Sequence, residues 1–470
     1  MNKFKLFSIT LAVLTLVGCQ EEFVDSPKPV DGISETLVFS SRDLVDSFLA
    51  GMLRRTRAQF TATDTNGING MYYARTVKGS DIIQRATWFT FDYDNDNREP
   101  NYRRPTFSWE FPYYMINQAN IAIKGINESA LSETDKNETL AQAHGIRAFY
   151  YFQLALEFNA TYTAVDSSDP APPIYTEPVA EGGSMSTIGE MYSLIISDLT
   201  AAISLASESR IDNSYINLHV LHGILARVYL TTHDYALAAQ HANAARQGYS
   251  MNASQYGNGM SDMNNDEWIW SMPQSSDQSN YYWGAPHAHA DHFVTSYAAT
   301  FFNTEFTDLF SSTDVRNLFL NGYGVPDTDY RARISTKFAF TFDADHPLMR
   351  APEMLLIEAE GHARTGNDSG AADLLFQLQS NRDPNAVASG NTGDALIEEI
   401  LVERRKELYA ELGVEWFDAK RLGRGIPRGG NHRLKGASQL TPSDKRFFLK
   451  VPQSEIDANP NIDESVNANR

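Results

Sequence analysis

The chain has 470 residues, with 39 lysines and arginines against 59 aspartates and glutamates, so its formal net charge is -20. Such a surface repels phosphate backbones and no long basic block offsets it, which argues against a nucleic-acid partner. Hydrophobic residues make up 42% of the chain, which is typical of a globular protein, and the length allows about three domains or one large body.

The N-terminus has the pattern of an export signal that ends in a lipid-attachment site. Lys3 and Lys5 precede an apolar run that is too short to span a bilayer. The stretch LVGC at 16–19 resembles a bacterial lipobox, and its Cys19 is the single cysteine of the chain. We therefore predict that residues 1–18 are a removed signal peptide and that acylated Cys19 anchors the protein in membrane lipid. The alternative is an ordinary secreted protein with one leftover cysteine.

The residues after Cys19 predict where the protein is anchored and where its folded body begins. The sequence QEE at 20–22 resembles the acidic tract that directs some Gram-negative lipoproteins to the outer face of the outer membrane. The interpretation is thus a lipid-anchored protein exposed at the cell surface. Pro27 and Pro29 disfavour a helix, so residues 19–40 are predicted to be an extended tether and 41–470 a single body.

Three helices are predicted in the first part of this body. Apolar residues recur at spacings of three and four from residue 41 onward, in FPYYMINQANIAIKGI at 111–126 and in a long segment at 135–158, which is the pattern of amphipathic helices. Between the first two lie about fifty residues with little periodicity, and loops of that length are usually functional.

This early loop contains residues suited to binding a sugar. Sugars present flat apolar faces ringed by hydroxyls, so a binder needs exposed aromatic rings beside fixed hydrogen-bonding groups. Trp88, Asn95, Asn97 and Tyr102 supply both types of side chain within a short stretch. The alternative is that the aromatic side chains pack the core of their own lobe, since tryptophan is highly buried on average.

The same loop contains one of two candidate metal sites that the sequence suggests, a structural calcium site; no cofactor is otherwise expected. Asp92, Asp94 and Asp96 have the one-three-five spacing of a calcium loop, but Asn97 replaces the glycine of the sixth place and Arg103 the glutamate of the twelfth. An EF-hand is therefore excluded, and a looser calcium site remains open.

An internal repeat predicts pairs of packed helices. Between 217 and 246 the small and aromatic residues have the spacing of a tetratricopeptide helix pair, and the same pattern returns 133 positions later. The matched positions are Ala226, Tyr229, His233 and Ala238 with Ala359, His362, Gly366 and Ala371. Gly366 is predicted at the turn between two helices, where a glycine closes a helix without steric cost.

These repeats predict a mostly α fold. Helix pairs are expected near 136–206, 217–246, 350–382 and 394–422, stacked as a tetratricopeptide-like superhelix. A long-loop, irregular ligand-binding lobe is expected near 60–110 and 250–345. The alternative is an unrelated all-α fold built from generic amphipathic helices.

The later loop contains further candidate residues. Tyr282 and Trp283 lie in the polar stretch SNYYWGAPH and could serve as sugar platforms. His287 and His289, with Asp291, would share one face of an extended strand and could bind zinc. A solvated loop with stray histidines is the alternative, since no supporting partner can be identified from the sequence.

Catalytic signatures are absent from the sequence. There is no H-E-x-x-H zinc motif, no G-x-S-x-G elbow and no G-x-x-x-x-G-K-[ST] phosphate loop. A carboxylate pair is defined by spatial separation and stays open. We expect a binding protein and no enzyme.

Several segments together resemble the SusD/RagB family of outer-membrane nutrient-binding lipoproteins. The resemblance spans residues 1–462, and its most specific block joins 403–408 to 416–421. The other matching segments, besides the lipobox, are MINQANIAI, AQAHGIRAFYYFQLALEF, the helix pair at 217–246, MRAPEMLLIEAEGHAR and FFLKVPQSEIDANPNI. The charged residues of the specific block, Arg404, Arg405 and Glu407, are interpreted as a helix face that forms salt bridges with neighbouring helices.

The resemblance implies a tetratricopeptide scaffold that closes over a SusC-like TonB-dependent transporter and captures oligosaccharides or, in some members, peptides. It also implies a glycan site in the two loop regions, which matches Trp88, Asn95, Asn97, Tyr282 and Trp283 approximately, because these loops diverge most within the family. No catalytic role is implied.

Peptide capture is the main alternative function. The arginines of the early region, Arg75, Arg85, Arg98, Arg103 and Arg104, could grip carboxylates in bidentate fashion, although they could equally bind an acidic polysaccharide. A purely structural helical scaffold is a third interpretation, but it leaves the aromatic loops unexplained.

Overall fold

The computed structural model describes residues 35–57, 62–274 and 286–470. The predicted signal peptide, Cys19 and most of the tether lie outside the described residues, as do Tyr282 and Trp283. What the sequence predicts for these residues stays a prediction.

The described chain is mainly α-helical with short strands, which confirms the predicted fold class. The helices in chain order are α1 (Glu35–Val38), α2 (Arg42–Arg57), α3 (Gly67–Val77), α4 (Thr90–Tyr93), α5 (Arg103–Glu128), α6 (Glu133–Phe158), α7 (Ile188–Leu205), α8 (Leu218–Thr232), α9 (Tyr235–Arg246), α10 (Ala253–Tyr256), α11 (Pro286–Ala290), α12 (Thr304–Thr307), α13 (Ala351–Arg364), α14 (Asp368–Arg382), α15 (Gly393–Glu407), α16 (Val414–Arg421) and α17 (Gln453–Ala458). The strands are β1 (Ile82–Gln84), β2 (Pro170–Ala171), β3 (Ser186–Thr187), β4 (Trp268–Met272), β5 (Thr300–Phe302), β6 (Phe319–Leu320), β7 (Ile334–Ser335) and β8 (His346–Arg350).

Polar caps fix where several long helices begin. The Ser132 side chain accepts a hydrogen bond from the Asp135 backbone at the start of α6. Thr187 and Glu190 form a reciprocal capping box at the start of α7. Such caps satisfy backbone N–H groups that have no partner within the helix and contribute about 1 kcal/mol each.

The helices pack as neighbouring pairs, and the repeat seen in the sequence has a structural counterpart at the turns. α8 packs on α9, and α13 packs on α14. His233 ends α8 with φ of 66°, and Gly366 follows α13 with φ of 84°. Both residues, which the repeat places in equivalent positions, therefore have the left-handed conformation that closes a helix.

Small residues permit the close crossing of α9 and α13. A Cβ atom added to Gly361 would lie 2.6 Å from the Tyr235 carbonyl oxygen and 2.7 Å from the Ala239 Cβ. Neither neighbour is a flexible side chain that could move away. The two helices can therefore approach this closely only because residue 361 has no side chain.

One described helix, α7, is long and apolar enough by length and composition to cross a membrane. Its Ile195 and Leu199 are fully buried in the main hydrophobic core. Its Asp198 is also buried and accepts two hydrogen bonds of 2.7 Å from Arg147 of α6. These contacts identify α7 as a helix of the protein's own core.

A buried ionic cluster joins the helix pairs to the loop lobe. Glu407 of α15 is fully buried and lies within 2.9 to 3.1 Å of guanidinium nitrogens of Arg316, Arg350 and Arg382. Burial opposes its charge, but the three arginines hold the pKa of Glu407 well below its ordinary value. The predicted salt bridges of this segment are thus present, and they lie in the interior.

Antiparallel strand pairs bring distant parts of the lobe together. β1 pairs with β5, and Ile82 lies opposite Phe302. The lobe also differs from the predicted long loop, because residues 67–77 form helix α3, in which every residue is buried. A helix buried on all sides has no polar face, so it lacks the periodicity by which amphipathic helices are recognised.

Candidate ligand-binding surface

The β1–β5 pair positions two polar loops next to each other. Beyond β1 the pairing continues, since the Arg85 backbone N–H donates to the Ala299 carbonyl at 2.9 Å. The Arg85 guanidinium also donates to the Tyr297 carbonyl at 2.7 Å. Residues 85–88 and the segment around Tyr297 are therefore held side by side.

A ring of contacts connects these loops to the start of α5. The Thr63 and Tyr297 hydroxyls share a hydrogen bond of 3.1 Å. The next residue, Asp64, accepts a hydrogen bond of 2.8 Å from Arg103, whose guanidinium lies 5.8 Å from the centre of the Trp88 ring. We call the outward side of this ring, formed by Arg85, Trp88, Tyr102, Arg103 and Tyr297, the loop surface.

Aromatic rings on the loop surface are open to solvent. Trp88 is 42% exposed and Tyr102 is 38% exposed. Phe91 is 58% exposed and its ring lies 6.3 Å from that of Tyr102. These rings offer flat apolar faces beside the exposed Arg85 side chain, which is the combination that a sugar requires.

A stack of three rings supports the loop surface from below. The His289 ring stacks between Tyr73 at 4.7 Å and Tyr297 at 4.9 Å. Burial lowers the pKa of His289 to about 3, so the ring is neutral. The Tyr73 hydroxyl in turn donates to Gln84 of β1 at 3.1 Å. Tyr297 is thereby fixed against the strand pair.

Two of the predicted binding residues are not on the surface. Asn95 is buried, has φ of 58° and donates a hydrogen bond of 2.7 Å to the Ser438 carbonyl. Asn97 is buried as well. Neither side chain is placed to contact a ligand as predicted. Asn95 instead lies in a turn with left-handed backbone, and its amide forms a hydrogen bond within the protein. Trp88 and Tyr102 are exposed as the prediction requires.

The predicted calcium ligands do not converge. Asp92 is completely buried and forms two hydrogen bonds, of 3.0 and 3.1 Å, with Arg104, so its oxygens are directed to a guanidinium. Asp94 is partly buried and Asp96 is exposed. No group of three or more His, Cys, Asp or Glu side chains within the described part of the chain is arranged to hold a metal ion.

The predicted zinc ligands also point apart, because their segment is helix α11 and not an extended strand. The His287 Nε2–H donates to the Met260 carbonyl at 2.6 Å, and the ring packs on His346. His289 belongs to the stack with Tyr73 and Tyr297. Alternate residues lie on nearly opposite sides of a helix, so the two rings do not share a face.

The structure separates the five arginines proposed for peptide binding. Arg75 and Arg104 are buried in ion pairs with Glu157 and Asp92. Arg98 is partly buried and donates to the Phe448 carbonyl. The remaining two, Arg85 and Arg103, reach the loop surface.

Sequence reasoning missed Phe91, Tyr297 and Asp64 as parts of this site. Phe91 lies three residues after Trp88 in the same polar stretch, so its apolar side chain was a usable signal. Tyr297 carries no local signal, because its place depends on the pairing of β1 with β5. Asp64 carries none either, because its role depends on contact with Arg103, which lies 39 positions further along the chain.

Two family models match the chain. One, described as starch-binding and associating with the outer membrane, matches residues 22–230, and the other, described as the SusD family, matches residues 340–467. A curated relative, the SusD-like protein P38 of Formosa agariphila, is 23% identical over 496 residues, which cover 91% of this chain and 93% of that protein.

Solved structures resemble the whole body of the chain. A SusD-like carbohydrate-binding protein from Bacteroides vulgatus has a TM-score of 0.82 and 25% identity, and the match covers 91% of this chain and 98% of that one. A SusD superfamily protein from Bacteroides thetaiotaomicron has a TM-score of 0.80 at 24% identity, covering 90% and 99%. A laminarin-binding SusD-like protein has a TM-score of 0.71 at 16% identity, covering 89% and 98%.

Proposed function

The chain belongs to the SusD/RagB family, of which one matching model is described as starch-binding and associating with the outer membrane, and from this premise we propose that it captures polysaccharides on the loop surface. Its role in this proposal is binding, with no bond broken in the ligand. A laminarin-binding protein of the same fold supports a glycan as the ligand.

One observation carries this proposal: Trp88 and Tyr102 expose their rings on a surface that is fixed from below. Ordered aromatic platforms lose little conformational entropy when a ligand binds. Arg85 adds hydrogen-bond donors at the edge of the platform. A polymer that lies across these rings can therefore stack its sugar faces and direct hydroxyls to the guanidinium.

Affinity electrophoresis tests the proposal. Protein lacking residues 1–19 is run in native gels that contain laminarin, starch, alginate or polygalacturonate, and we expect at least one polysaccharide to retard it. Trp88→Ala should remove the retardation. The matched control is Phe342→Ala, since Phe342 is a comparably exposed aromatic residue, at 49%, outside the loop surface.

Peptide capture is the second candidate because Arg85 and Arg103 reach the loop surface, where they could bind carboxylates. Isothermal calorimetry with peptide mixtures decides between the two. If peptides give heat that the Trp88→Ala variant does not give, and no polysaccharide retards the protein, the ligand is a peptide. That result would contradict the glycan proposal.

Delivery to a partner and anchoring in lipid complete the proposed role. We propose that Cys19 is acylated, that the protein is exposed on the outer membrane, and that it passes its ligand to a SusC-like TonB-dependent transporter. Mass spectrometry of the mature N-terminus should show an acylated Cys19. Crosslinking of the full-length protein in its own outer membrane should capture a TonB-dependent transporter, and recovery of other proteins alone would contradict the partnership.

A further inference from the structure

A second concavity lies along α5, beyond the loop surface. Its volume is about 470 Å³, which is within the usual range for pockets that bind small ligands. Trp109 lies six residues after Arg103, so the groove begins roughly 9 Å further along the helix axis. Four aromatic side chains line it, namely Trp109, Tyr113, Tyr114 and Tyr175.

Hydrogen bonds fix the walls of this groove. The Trp109 indole N–H donates to Glu455 at 3.1 Å, and the Tyr113 hydroxyl donates to the Pro173 carbonyl at 2.6 Å. The Tyr175 hydroxyl accepts from the Gly183 backbone N–H at 2.7 Å. Helix α5, the segment from 175 to 183 and helix α17 are thereby joined around the groove, so its shape exists before any ligand binds.

The charge of the groove has one sign. Four carboxylates line it, namely Glu110, Glu177, Glu181 and Glu455, and none of the described lining residues is lysine or arginine. Partial burial raises the pKa of Glu110, which means that its negative charge is disfavoured where it stands. A positive group entering the groove would relieve this cost.

A positive group from outside the groove lining lies against one of its aromatic rings. The Arg55 guanidinium lies 5.6 Å from the centre of the Tyr114 ring, and Tyr114 is 40% exposed. Cations are attracted to the negative face of such rings. The contact is independent of the carboxylates and shows that the Tyr114 ring can pack against a guanidinium.

We propose that the groove binds a short peptide through a lysine or arginine side chain. The aromatic rings would pack on the aliphatic stem and the charged head of that side chain, and the glutamates would accept its hydrogen bonds. An acidic polysaccharide is disfavoured because the four glutamates of the groove would repel its acidic groups. The inference does not rest on the glycan proposal, since the two sites share no side chain.

Isothermal calorimetry with tetralysine, tetraarginine, tetraalanine and tetraglutamate tests the inference on protein lacking residues 1–19. We expect the two basic peptides alone to bind. The double variant Glu110→Gln with Glu181→Gln should weaken binding tenfold or more, and Tyr114→Ala should weaken it separately. Trp88→Ala, on the loop surface, should leave it unchanged.

The control for general attraction to an acidic protein is Glu133→Gln with Glu464→Gln, which removes the same charge from exposed positions elsewhere. An equal loss of affinity in this control would overturn the inference, as would the absence of basic-peptide binding. Loss of polysaccharide retardation in the groove variants, with basic-peptide binding unchanged, would instead make the groove a glycan site. Loss of retardation in Trp88→Ala alone concerns the loop surface and tests the proposed function separately.

Discussion

At the scale of single residues, burial separates the side chains that can meet a ligand from those that build the lobe. Trp88 and Asn95 lie seven positions apart in one polar stretch, yet Trp88 is exposed and Asn95 is buried with its amide bonded to Ser438. Composition indicates that both residue types suit a sugar, but it does not indicate which of them faces solvent. Substitutions that test binding therefore belong on the loop surface.

Trp88→Ala should weaken binding of the captured polysaccharide. The substitution removes the exposed ring that would stack on a sugar, and by analogy with base stacking we expect a loss of about 1 to 3 kcal/mol. Titration followed by tryptophan fluorescence or calorimetry measures this change. Unchanged affinity in Trp88→Ala, as in the control Phe342→Ala, would show that the polymer binds elsewhere.

Arg85→Ala should distinguish acidic from neutral polysaccharides. The Arg85 guanidinium donates one hydrogen bond to the Tyr297 carbonyl. Because the side chain is exposed, its remaining N–H groups can bind a carboxylate or sulfate. Hydrogen bonds to charged groups contribute about 1.5 to 3 kcal/mol, and we expect affinity for acidic polymers to fall accordingly while neutral polymers lose less. The comparison is made by calorimetry at low and high salt, because salt screens exposed charges.

Arg85→Lys is the matched control for this change. It keeps the charge but loses the planar, bidentate geometry of the guanidinium, so its affinity for acidic polymers should be intermediate. An equal loss for neutral and acidic polymers in Arg85→Ala would contradict a charge-specific role.

At the scale of elements, small residues determine how closely helices pack. The sequence repeat predicts small side chains where helices touch, and α9 and α13 approach each other at Gly361. Gly51 offers a contrast, because it also lies within a helix but has no heavy atom within 4 Å of where its Cβ would be. Comparing alanine substitutions at Gly361 and Gly51 therefore separates the cost of steric contact from the helix propensity of alanine.

Gly361→Ala should destabilise the protein, while Gly51→Ala should not. The added methyl of the first variant meets backbone and a Cβ at 2.6 to 2.7 Å, and overpacking of this kind costs about 1 to 3 kcal/mol. The second variant should gain up to about 1 kcal/mol from helix propensity. Urea denaturation measures both, and equal stability of the two variants would contradict a close crossing at Gly361.

At the scale of the whole molecule, the buried ionic cluster connects the helix pairs with the lobe. Glu407→Ala should cost about 3 to 5 kcal/mol of folding free energy, because it leaves Arg316, Arg350 and Arg382 without their shared carboxylate. Glu398→Ala, on the same helix, breaks only an exposed pair with Arg424 and should cost at most about 1 kcal/mol. Thermal or urea denaturation compares the two, and similar losses would contradict a special role of the cluster.

The sequence predicts the helical class of this molecule well because helix pairs are local. The alignment of His233 with Gly366, for example, identifies two turns that share the left-handed conformation. Helix α3 escapes prediction because all its residues are buried, and α11 is mistaken for a strand because five residues carry too little periodicity to tell the two apart.

The candidate site is less predictable because it depends on long-range pairing. Gln84 and Thr300 are 216 residues apart and become neighbours only through β1 and β5. Exposed aromatic residues within one stretch, such as Trp88 and Tyr102, can be found from composition. Their partners across the strand pair, such as Tyr297, cannot.

The stack of Tyr73, His289 and Tyr297 has a consequence for the conditions under which a polymer is captured. Burial lowers the pKa of His289 to about 3, so its ring gains no proton between mildly acidic and mildly alkaline surroundings. The support of Tyr297 then stays the same across that range. How much neutral polymer the protein carries should accordingly follow the supply of polymer and be indifferent to the acidity of the medium.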